Sequence, residues 1–270
     1  MAGVTFLILA GLSVAIFAGL AIGGGAQPLL LADPGALVRY GLPIATAAVH
    51  LGAALSIGSL MVAAMVVSST YRGFSQSLIV AAIGAGVTTV TSVLSGFFTF
   101  LVIYVEPVSL DQRFGEVLWL YIQETEVGRA WLLTVGLSAV VTVLALAVRS
   151  FAGVFATGLL AVSSLWPLAE QGHASGTANH EAAVSASYLH SVFAAIWIGG
   201  LAMMAIIAWS NKPSPEQFHT MLQRYSTIAL VSFLVVAISG VTNAWLRVGE
   251  IQGMFSAYGA LVAAKTLTLL

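Results

Sequence analysis

The chain has 270 residues, 59% of them hydrophobic and only 7% charged, with no cysteine and a formal net charge of −1. Soluble domains carry about 25% charged residues, so this composition excludes a water-soluble enzyme and a disordered tail, and it offers no basic field for nucleic acid. Disulfides, thiolate zinc sites and protein-held iron–sulfur clusters are excluded too, which leaves His, Met, carboxylate or backbone groups to hold any metal.

A bilayer core of about 30 Å takes roughly 20 apolar residues per helix. That ruler predicts an all-α, polytopic membrane bundle, one domain over 1–270, with about eight transmembrane helices. They fall over residues 4–22, 43–68, 78–105, 129–148, 151–168, 184–209, 225–246 and 255–270. Barrel strands of about ten alternating residues do not fit such runs. The first run has no Lys or Arg ahead of it, so it reads as a retained helix and not a secretory signal. The second, third and sixth are long enough to tilt. Between Glu106 and Val127, the residues Leu110, Val117, Leu118, Trp119, Leu120, Tyr121 and Ile122 are interspersed with charge. This segment suits either a short helix in the membrane interface or a partly ordered loop packed on the bundle. The last run stops at Leu270 without a polar flank, so the native chain is expected to continue.

Even-numbered loops carry Arg72, Arg149, Lys212 and Arg224 in short connectors, whereas Arg39, Arg113, Arg129 and Arg247 are spread over longer odd-numbered loops. Basic density thus orients the N-terminus to the cytoplasm. Asp33, Glu106, Asp111, Glu116, Glu124, Glu126, Glu170, Glu181 and Glu250 then fall outside.

The second and sixth runs read alike. His50 precedes Ile57-Gly58-Ser59-Leu60, and His190 precedes Ile198-Gly199-Gly200-Leu201, with the two histidines one residue out of register. Downstream, Leu94-Ser95-Gly96 matches Ile238-Ser239-Gly240, and Gly128 matches Gly259. This pattern predicts two parallel four-helix halves, 1–148 and 151–270, about an axis along the membrane normal.

Ionisable groups inside lipid are costly and therefore functional candidates. His50, His173, His180 and His190 all map toward the outer side, two of them within spans at near-equivalent repeat positions. Imidazole suits copper, zinc, nickel or haem iron, and thioether adds a preference for cuprous copper. Eleven residues of α-helix advance by about 1100°, so Met61 shares a face with His50 about 16 Å deeper, with Met65 close to that stripe. Met204 lies within about 40° of His190. These methionines are candidate relays, and Asn243 and Lys265 candidate members of a polar path. Enzyme motifs are missing: His180-Glu181-Ala182-Ala183-Val184 lacks the second His of a zinc protease, and there is no G-x-S-x-G and no phosphate loop. No catalytic activity is expected.

Five short motifs, in order, resemble the copper-resistance protein D (CopD) family. They are Thr125-Glu126-Val127-Gly128-Arg129-Ala130-Trp131; Gly172-His173-Ala174; His190 followed by Trp197-Ile198-Gly199-Gly200-Leu201; Arg224-Tyr225-Ser226 opening a helix that carries Ile238-Ser239-Gly240; and Tyr258-Gly259 followed by Lys265. They cover roughly residues 125–270, and the N-terminal third matches by hydropathy and by the repeat. The resemblance implies a bacterial inner-membrane protein that handles copper, usually by uptake from a periplasmic carrier. In actinobacterial relatives the domain is often fused to a CtaG-type cytochrome oxidase assembly domain. The expected function is therefore copper binding and transport, with His50, His173, His180 and His190 as entry ligands and Met61, Met65 and Met204 as relays. Two rivals stand beside it. One is a b-type haem protein with axial His50 and His190. The other is a non-catalytic assembly or accessory subunit of a respiratory complex such as cytochrome oxidase.

Overall fold

A computed structural model describes residues 33–105, 108–171 and 180–248, with scattered positions between 11 and 28. Among these the chain is helical throughout, without strands. In chain order the helices are α1 (Ala36–Met61, continued by a π-helical turn Val62–Val66), α2 (Arg72–Tyr104), α3 (Gln112–Glu124), α4 (Glu126–Ala147), α5 (Phe151–Ser163) and α6 (Trp166–Glu170). Then follow α7 (His180–Ala194), a second π-helical turn (Ala195–Gly199), α8 (Gly200–Asn211) and α9 (Pro215–Val248).

Among the described residues six stretches are long and apolar enough to cross a membrane: Ala36–Val66, Arg72–Tyr104, Glu126–Ala147, Phe151–Glu170, His180–Asn211 and Pro215–Leu246. They coincide with the six central spans read from the sequence. The helices run further than the apolar windows, because a backbone that has begun hydrogen-bonding continues through polar residues until a cap or a turn stops it. Pro43, for example, sits inside α1 instead of marking its start. The expected spans 4–22 and 255–270 lie wholly or largely outside the described residues.

α1 is the most enclosed span and α9 the least. α1 meets α2 backbone to backbone. A Cβ on Gly52 would lie 2.8 Å from the Gly84 carbonyl oxygen, and one on Gly84 would lie 2.6 Å from the Ser56 nitrogen. Small residues allow this approach, which is what holds helices together in lipid. On α2 Thr88 donates to the Gly84 carbonyl, and on α4 Ser138 donates to the Thr134 carbonyl.

The segment after α2 forms a helix, as one of the two sequence readings expected. The Asp111 carboxylate caps α3 by accepting the Phe114 N–H at 2.7 Å. That bond, with the Ser109 hydroxyl and nearby Arg113, holds the carboxyl below its ordinary pKa. Phe114 and Tyr121 are buried against Phe100, while Trp119 and Leu120 face outward. Burial, with Tyr104 alongside, pushes the Tyr121 phenol up to about 12, and its hydroxyl donates to the Gly96 carbonyl. Thr125 then ends α3 and starts α4, donating to the Tyr121 carbonyl and accepting from the Gly128 N–H.

Candidate metal site

His190 is half-buried on α7 and turned toward α9. Its Nδ1 lies 3.1 Å from the Val236 carbonyl oxygen and 3.2 Å from Ser239 Oγ. A carbonyl can only accept, so Nδ1 carries the proton and donates. The Ser239 hydroxyl donates to the Val235 carbonyl at 2.6 Å, so its oxygen can accept from the same N–H. In the neutral ring the lone pair then resides on Nε2. Metal-binding imidazoles are commonly oriented this way, with the far nitrogen donating to a backbone carbonyl. Gly240 lies against the ring, where a Cβ would be in ordinary contact 3.4 Å from His190 Cε1. The Ser239-Gly240 pair thus forms the seat of the ring. Further toward the start of α7, Ser187 donates to Asn243 Oδ1 at 3.2 Å. Asn243, expected on a polar path, is thus a cross-link between α7 and α9.

Deeper in the same span, the two glycine segments of the suspected repeat meet. A Cβ on Gly58 would collide with the backbone of Gly199 and Gly200, and one on Gly199 would collide with the Ala54 carbonyl. Gly199 closes the π-turn that joins α7 to α8. Tyr225 of α9 donates its hydroxyl proton to the Trp197 carbonyl at 2.5 Å. In a regular α-helix that carbonyl would accept from the N–H of Leu201, four residues on. Here it accepts from the phenol. Gly200 clears its path, because a Cβ there would lie 2.7 Å from the Tyr225 ring and 2.8 Å from the Met61 methyl. The neighbouring Arg224 donates to the carbonyl of Val66, the last residue of the other π-turn.

His50 is exposed on α1, and His180 is exposed at the first turn of α7 beside Glu181. His173 lies outside the described residues, as does Lys265. Among the described residues no three His, Asp or Glu side chains are grouped closely enough to hold a metal ion. Of the expected relays, Met204 is buried and Met61 packs against the same core, whereas Met65 faces outward at 56% exposure. Sequence reasoning passed over Met203 and Met221, both buried in the core that includes Met204. Adjacency to Met204 would have flagged the first, but nothing in the sequence marks the second. It also quoted Tyr225 and Ser239 in motifs without a role for either.

A family profile described as copper resistance protein D-like, N-terminal domain matches residues 37–183, and one described as copper resistance protein D matches residues 219–270. Neither a curated protein nor a solved structure matches the chain.

Proposed function

The chain belongs to the copper resistance protein D family, and we propose that it binds and passes copper across the membrane with His190 Nε2 as a ligand on the ion's path. The observation that carries this reading is the Nδ1–H of His190 donating to the Val236 carbonyl, with Ser239 as second acceptor. That arrangement fixes the tautomer a metal requires and resists ring rotation. Copper is the cargo, and the protein needs no reaction chemistry to move it.

His50, His173 and His180 are further entry ligands in this reading. Met61 and Met204, packed in one core, offer soft thioether contacts deeper in the bundle and suit cuprous copper. Lys265 with Asn243 would complete a polar edge to the path. The topology is eight helices with the N-terminus in the cytoplasm of a bacterial inner membrane, so the histidine end faces an extracytoplasmic copper carrier. The downstream recipient would be cytochrome oxidase or its assembly factors. A parallel two-fold repeat is supported by the contact of Gly58 with Gly199, because equivalent residues of two halves meet each other at their common axis.

The test is elemental analysis and a visible spectrum of the purified protein, with His190→Ala and His50→Ala alongside. Bound copper that falls in His190→Ala supports the reading. Unchanged stoichiometry removes His190 from the site, a Soret band after expression with haem favours the axial-haem reading, and co-purification with an oxidase without any metal favours an accessory subunit.

A further inference from the structure

The two histidine–glycine segments differ by one residue: His50 precedes Gly58 by eight positions, and His190 precedes Gly199 by nine. From His50 to Gly58 the helix is regular, whereas the stretch from His190 to Gly199 contains the π-turn Ala195–Gly199. A turn closed by i→i+5 bonds holds one residue more than an i→i+4 turn. The extra residue and the wide turn therefore cancel. Without the wide turn, and with Gly199 pinned against Ala54 and Gly58, every residue above it would rotate by about 100°. His190 would then leave Val236 and Ser239.

Wide turns are uncommon and need a partner for the backbone groups they separate. Tyr225 is that partner. Its hydroxyl donates to the Trp197 carbonyl, which in a regular helix would accept from the Leu201 N–H, and Gly200 lets the ring reach it. We propose that Tyr225 is a positioning residue that holds a one-residue insertion open as a π-turn, and so sets the facing of His190 to match that of His50. The device concerns the facing of a side chain, and it stands whether or not the ion is copper.

The test reads His190 without metal, by ¹⁵N NMR of the histidine-labelled protein, with His190→Gln to assign the resonance. Wild type should give the signature of a hydrogen-bonded Nδ1–H. Tyr225→Phe keeps the ring against Gly200 but removes the hydroxyl, and should lose that signature. Deleting Ile198, which is exposed, removes the insertion itself. The deletion should keep the signature, and Tyr225→Phe combined with it should regain it. Retention of the signature in Tyr225→Phe overturns the proposal, and so does a loss that the deletion fails to repair. A protein that binds no copper yet shows this rescue would defeat the copper reading alone.

Discussion

Replacing Gly58 by alanine tests the helix crossing on which the histidine end of the bundle rests. The added Cβ would meet the backbone of Gly199 and Gly200, which cannot swing aside as a side chain could. Overpacking of this kind costs about 1–3 kcal/mol, and backbone opposition puts it near the upper figure. Alanine recovers about 1 kcal/mol of helix propensity. The net loss is about 2 kcal/mol, or a melting temperature about 4–8 °C lower for a domain of this size. The assay is thermal unfolding of the detergent-purified protein followed by tryptophan fluorescence. Gly136→Ala in α4 is the control, because a Cβ there meets nothing within 4 Å. It should be neutral or raise the melting temperature slightly. If Gly58→Ala and Gly136→Ala melt alike, the two spans do not touch as described.

Much of this architecture was legible in the sequence. Six spans followed from hydropathy, because length and apolarity are all a bilayer demands of a helix. The glycine segments before Leu60 and Leu201 stood out as alike, and they turn out to lie against each other. The seat of His190 was not legible. Its partners lie 46 and 49 residues away, and which residues face it depends on how two helices are rotated about their axes. The one-residue offset between His50 and His190 looked like an imperfection of the repeat. It acquires meaning only beside the π-turn, and no local sequence signal distinguishes that turn from ordinary helix.

Two further outcomes follow from particular contacts. Ser239→Ala removes one of the two acceptors of the His190 N–H and should weaken copper binding about tenfold, read by competition with a cuprous chelator; unaltered affinity would contradict the assigned orientation. Asp111 is held below its ordinary pKa when α3 is formed, so its cap operates above the ordinary carboxylate range and is lost as pH falls through the lowered value. Hydrogen exchange at the start of α3, corrected for intrinsic rates, should therefore rise in wild type as pH falls below the ordinary carboxylate range. In Asp111→Ala, which has no capping oxygen, it should be raised at neutral pH already and change little with acid, and a wild-type profile that is flat with pH would refute the cap.

The central claim is that an imidazole seated on α9 grips copper through Nε2, and X-ray absorption at the copper edge addresses it without intermediaries. Copper-loaded wild type should show nitrogen scatterers with the outer-shell pattern of an imidazole ring, and that pattern should diminish in His190→Ala. Identical spectra from the two proteins would contradict the account.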